Sequence, residues 1–251
     1  MGRNEERFRP VAQALPAPEA INCIASQKQE SPFVNPQTVK TSIAGPAGAL
    51  EIALDAPAGR PRGVAVIAHP HPLFGGTMDN KVVQTMARAF VQCGWTAVRF
   101  NFRGVGGSEG THDEGRGELD DLLAVVAHAA PLPQDGQPAA LFALAGFSFG
   151  AYVTTHAFER LHTSRAVDKL VLVGTSVSRS AAAPVDAAAH LKTLVLHGEQ
   201  DDTVLLQDVL DWARPQALPV TVVPGGGHFF HGQLPLLKNL VIRHLSSSVP
   251  A

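Results

Sequence analysis

The hydrophobic positions of this chain switch repeatedly between a period of two and a helical period. Residues 38–43 and 49–54 each alternate apolar and polar side chains, and the turn formers Gly45, Pro46, Ala47 and Gly48 lie between them, which predicts an antiparallel hairpin. Gly63–Ala68 is a short unbroken apolar run, as expected of a strand buried on both faces of a parallel sheet. Further strand signals follow at 96–102, 140–145, Lys169–Val173, 193–196 and Val220–Val223. Helical periodicity fills the intervals at 79–93, stopped by Gly94, at 118–130, ended by Pro131, and at 151–160. Alternation this regular predicts an α/β fold with a mostly parallel twisted sheet, an N-terminal antiparallel hairpin and helices on both faces. In such sheets ligands bind beyond the carboxyl ends of the strands, so the loops after strands are where chemistry is expected.

Residues 1–37 mix Pro, Gln, Glu, Asn and Ala without either period and are expected to be an irregular extension, leaving 38–251 as one domain. The stretch between Val173 and Thr193 is short and rich in Ala and Ser, with no room for a large lid.

Two segments match the pattern Gly-x-Ser-x-Gly, around Ser108 and around Ser148. A nucleophile on a strand-to-helix turn needs a strand directly before it and a helix directly after it, with flanking glycines because the turn leaves no room for a Cβ. Ser148 has all of these. Ser108 sits well past its strand and is followed by a polar, glycine-containing loop, so Ser148 is the expected nucleophile. A serine hydroxyl needs an adjacent base, and that base needs a carboxylate to hold its tautomer. His228, in a glycine-rich loop after the last strand, is the expected base, with His231 in reserve. The turn after residues 193–196 offers Asp201 and Asp202 as the orienting acid; either could instead cap the helix that follows.

Composition narrows the partners. A net charge of -2 with interspersed signs gives no basic field for nucleic acid, and no run of eighteen apolar residues suggests a membrane span. Cys23 and Cys93 make neither a disulfide framework nor a metal cluster, and the first residues lack the apolar core of a secretion signal, so a cytoplasmic address is expected. His69 and His71 form an H-x-H pair, but without the further ligands of a zinc site; no metal and no cofactor is expected.

From residue 38 onward the chain resembles small lidless α/β-hydrolases of bacterial type, related to the dienelactone hydrolase and prolyl oligopeptidase-like branches. The resemblance is carried by His69-Pro-His-Pro-Leu-Phe-Gly-Gly-Thr-Met-Asp-Asn-Lys-Val-Val83, Arg99-Phe-Asn-Phe-Arg-Gly-Val-Gly-Gly-Ser-Glu-Gly110, Leu144-Ala-Gly-Phe-Ser-Phe-Gly-Ala-Tyr-Val153 and Gly227-His-Phe-Phe230. It implies the α/β-hydrolase fold, the chain order Ser, Asp, His for the catalytic residues, and, through the pattern H-G-x-x-D-x-x-V, Asp201 as the acid. It also implies an oxyanion hole made of two backbone amides, that of Phe149 and one in the loop after Gly63–Ala68. There His71 is the expected donor, Leu73 the alternative, and Pro72 has no N–H. Dienelactone hydrolases proper use a cysteine nucleophile, so their substrate is not carried over. The expectation is a serine hydrolase that cleaves a small acyl ester or thioester through an acyl-enzyme, with Phe74, Phe147 and Phe229 as apolar walls and a small-molecule acyl substrate as partner. Its rivals are an acyltransferase on the same residues and a non-catalytic binding protein of the same fold.

Overall fold

The structure, a computed structural model, describes residues 38–132, 140–178 and 181–247; the extension expected over 1–37 lies outside the described residues. The hairpin is formed by β1 (Val39–Gly45) and β2 (Gly48–Asp55), with Gly45 opposite Gly48 across the two-residue turn. There follow β3 (Gly63–Ala68), α1 (Lys81–Gln92), β4 (Trp95–Phe100), α2 (Arg116–Ala129), β5 (Leu141–Phe147) and α3 (Phe149–Leu161). The second half contains β6 (Lys169–Val173), β7 (Thr193–Gly198), α4 (Leu206–Ala213), β8 (Val220–Val223) and α5 (Leu234–Ser246). The strands make one eight-stranded sheet in the order β1-β2-β4-β3-β5-β6-β7-β8. β2 runs antiparallel to β4, and from β4 to β8 every neighbouring pair is parallel.

Successive side chains of a strand point to opposite faces, and along β3 this divides the core in two. Val66 and Ala68 join α2, α3 and α4 on one face, while Ala65 and Ile67 join α1 and α5 on the other. The same division runs through β5, where Phe142 and Leu144 face α2 and α3, and Ala143, Ala145 and Phe147 face the opposite layer.

Local caps move the helix ends from the expected positions. Asn80 accepts a hydrogen bond from the Val82 amide at 2.9 Å, so α1 starts at Lys81 and not at 79. The fully buried Glu118 reaches back to accept from the amides of Asp113 and Gly115 at 2.9 and 2.8 Å, which starts α2 at Arg116, before Glu118 itself.

The polar residues of the segment 99–110 tie the antiparallel edge to the parallel sheet. Arg99, itself buried, donates to Asp55 Oδ2 (3.0 Å), Met78 O (2.9 Å) and Asp79 Oδ1 (2.9 Å). Asn101 leaves the strand register to bond the Met78 amide and Glu51, so β4 ends at Phe100 and not at 102. Arg103 grips the buried Asp121 with two side-chain nitrogens, at 3.0 and 2.8 Å.

Candidate active site

Ser148 sits between the last residue of β5 and the first of α3 with φ 56° and ψ −119°, a backbone conformation rare for a residue with a Cβ. The strain is held by its surroundings. The Ser148 amide donates to Val173 O at 2.8 Å, and its carbonyl accepts from Tyr152 and Ser176 at 3.1 and 3.2 Å. The glycines on either side are steric necessities: a Cβ on Gly146 would lie 2.4 Å from Gly150 O, and one on Gly150 would lie 2.4 Å from His69 O. This close approach sets the start of α3 against the end of β3.

The loops after β7 and β8 bring the partners. His228 Nε2 lies 2.9 Å from Ser148 Oγ, and His228 Nδ1 lies 2.7 Å from Asp201 Oδ2. Because a carboxylate only accepts, Nδ1 carries the proton and Nε2 presents its lone pair to the serine hydroxyl. All three residues are buried. Burial by itself would raise the Asp201 carboxyl; the hydrogen bonds from His228 and the Val204 amide, with the nearby imidazoles, outweigh it and hold the group below the usual carboxylate range. Asp201 also caps its own turn, accepting from the Thr203 and Val204 amides at 3.0 and 2.8 Å. Asp202 is exposed and bonds only the Thr203 hydroxyl, at 3.3 Å. His231, the reserve candidate, is exposed, its ring 5.9 Å from that of Phe229.

An open cleft adjoins Ser148. Phe74, Phe149 and Val204 give it apolar walls, and Ser176, Ser178, Thr203 and His71 give it polar ones. Of the three expected aromatic walls, only Phe74 lines it. Phe147 is a correction: it has no exposed surface and packs beneath His228, ring centroids 4.9 Å apart, because as the last residue of β5 it points into the α1/α5 core. Phe229 also stands outside the cleft, edge-on to His228 at 5.0 Å and 43 % exposed. The hydroxyls of Ser176, Ser178 and Thr203 escape a sequence reading, although their position after β6 and β7 is the signal that finds them.

Phe149 occupies the first position of α3, where an N–H has no acceptor within its own helix. His71 shares the cleft wall with it, ring centroids 4.7 Å apart. The alternative donor, Leu73, already gives its amide proton to His71 Nδ1 at 3.2 Å. His69 is fully buried and occupied at both nitrogens: Nε2 accepts from the Phe102 amide (3.0 Å), so Nδ1 is the donor to Pro70 O (2.6 Å). Burial pushes it down to about 4, against a smaller upward pull from Pro70 O, and it is a neutral structural residue. Ser108, the other serine in the glycine pattern, is equally occupied, donating to Asn101 O at 2.6 Å and accepting from the Glu51 amide at 2.9 Å.

The fold recurs in known proteins. A family model of the alpha/beta hydrolase fold matches residues 73–192. A solved α/β serine hydrolase without a lid, from Xanthomonas campestris, is 34% identical with a TM-score of 0.75, the match covering 88% of this chain and 99% of that one. An α/β serine hydrolase homologue from Coxiella burnetii is 37% identical with a TM-score of 0.70, covering 85% and 99%. An uncharacterized protein of Rickettsia prowazekii is 32% identical over 177 residues, 66% of this chain and 71% of that protein. With two solved relatives above 30% identity matched almost end to end, the chain belongs to the α/β-hydrolase family of hydrolases, in the branch of serine hydrolases that lack a lid.

Proposed function

We propose that the protein hydrolyses a small acyl ester or thioester through an acyl-enzyme on Ser148. The observation that carries this reading is the continuous chain from Ser148 Oγ through His228 to Asp201, 2.9 and 2.7 Å, opening on a solvent-accessible cleft. Ser148 Oγ attacks the carbonyl carbon as His228 Nε2 takes its proton, and Asp201 stabilises the resulting imidazolium. The Phe149 and His71 amides hold the oxyanion, Phe149 being favoured by its place at the helix start and His71 by its place on the same wall. The imidazolium then protonates the leaving alcohol or thiol. A water molecule that gives its proton to His228 releases the acid and restores the serine. No step needs a cofactor. Among the described residues no helix is long and apolar enough to cross a membrane.

The test is intact-mass labelling with a fluorophosphonate, run beside a panel of p-nitrophenyl esters of increasing acyl length. The wild-type protein is expected to gain one adduct and turn over the short esters. Ser148→Ala is expected to gain none and to lose roughly 10⁴-fold or more in kcat. A wild-type protein that is folded, unlabelled and inactive on every ester would overturn the reading.

A further inference from the structure

Asp201 faces two imidazoles, and the mechanism above uses only one. His197, the last residue but one of β7, is fully buried. Its Nε2 lies 2.9 Å from Val204 O and 3.5 Å from Asp201 Oδ2, the same carboxylate oxygen that meets His228. Since a carbonyl can only accept, Nε2 must hold the proton. In the neutral ring Nδ1 is then a bare lone pair, and this buried atom has no hydrogen-bond partner. A buried acceptor left unpaired in a well-packed interior calls for a reason.

Charge supplies one. If a carboxylate or carbonyl stood at Nδ1, it would favour a proton on both nitrogens, and His197 would become a buried cation beside Asp201. Two imidazoliums would then compete for one carboxylate, and the one formed on His228 during attack on the substrate would lose its stabilisation. A buried Nδ1 without a partner keeps His197 neutral, and burial lowers its proton affinity in the same direction, against the upward pull of Asp201 and Val204 O. The titratable groups that face it are Asp201 and His228.

We infer that His197 is a positioning residue of the proposed hydrolase: as a neutral Nε2–H donor it clamps the Asp201 turn and aims Asp201 Oδ2 at His228 without competing for its charge. The turn closes on itself through Val204, whose amide donates to Asp201 Oδ1 while its carbonyl accepts from His197. β7 thus supplies the group that orients the acid, and the turn that follows it supplies the acid. This inference rests on the serine hydrolase reading, and its test separates the two.

The experiment compares wild type, His197→Leu and His197→Gln, the last retaining an N–H donor. The readouts are kcat and KM on a p-nitrophenyl ester, the pH profile of kcat/KM, thermal unfolding, and the downfield proton resonance of the His228 Nδ1 to Asp201 hydrogen bond. The Leu variant is expected to lose about 30-fold or more in kcat with KM within about threefold. Its acid limb should move to lower pH, because an imidazole poorly backed by Asp201 takes a proton less readily, and the downfield resonance should broaden or shift upfield. The Gln variant is expected to recover most of kcat and the resonance even if its melting temperature stays as low as that of the Leu variant. Activity that simply follows melting temperature across both variants, or a Leu variant with an unchanged limb and resonance, would overturn the role. If wild type proves inactive, the hydrolase reading fails, and the resonance still decides whether His197 aims Asp201.

Discussion

Replacing Ser148 and Ser108 by alanine, one at a time, separates reactivity from stability. The two serines share a glycine-flanked pattern but differ in what their hydroxyls meet: Ser148 Oγ faces His228 and the cleft, whereas Ser108 Oγ is fully engaged with Asn101 O and the Glu51 amide. Ser108→Ala leaves both of those backbone groups without their partner and is expected to cost about 1–3 kcal/mol in urea unfolding while fluorophosphonate labelling persists. Labelling lost from a folded Ser108→Ala protein would reverse the assignment. At this scale the sequence is informative about Ser148, Asp201 and His228, because each follows a strand that the hydrophobic pattern locates. It gives His197, the first residue of the H-G-x-x-D-x-x-V pattern, no role, because the contacts of that ring arise only when the Asp201 turn folds over the end of β7. It misplaces Phe147 because flanking the nucleophile in sequence is not lining the cleft: strand alternation sends that ring into the core.

Elements here are held at their ends by single polar side chains. Lys169, at the start of β6, sends its ammonium to His244 O (2.7 Å), Ser247 O (2.9 Å) and the Ser247 hydroxyl (3.3 Å), and so closes the C-terminal turn of α5. Lys169→Met keeps most of the stem and removes the donor. The expected loss is about 2–3 kcal/mol, with amide exchange of the last turn of α5 accelerated while that of α3 follows the global change only. Equal protection of that turn in both proteins would show that the contact carries no energy. The strands Gly63–Ala68, Lys169–Val173 and Val220–Val223 are legible to the residue from their apolar runs. Helix ends are less so, since Asn80 and Glu118 set them by hydrogen bonds and not by periodicity. The sequence reading puts no bounds on α5, because among the described residues no strand follows it to mark where it belongs.

For the whole molecule, acid should act through the buried His69 and the half-buried His244 before it acts through carboxylates. Burial pushes His69 and His244 down to about 4, the latter helped by Lys169, although the Pro70 and Lys192 carbonyls pull them up. With folded values below the unfolded 6.5, the unfolded chain binds more protons in between, so this stability is complete above pH 6.5 and drains away as pH falls towards 4. The loss is roughly 3 kcal/mol for the buried His69 and less for His244, which solvent partly screens. Urea midpoints at pH 7 and pH 4.5 check this, and His244→Asn should flatten part of the slope; a midpoint that does not change with pH would refute it. The Ser148 to His228 contact joins residues 80 positions apart and the His228 to Asp201 contact residues 27 apart, across the ends of β5, β7 and β8. Such pairings close late, after the chain between them has been ordered. On the proposed serine hydrolase reading, covalent reactivity is therefore the final property a refolding molecule regains, and an active-site label counts finished native molecules where circular dichroism counts helices.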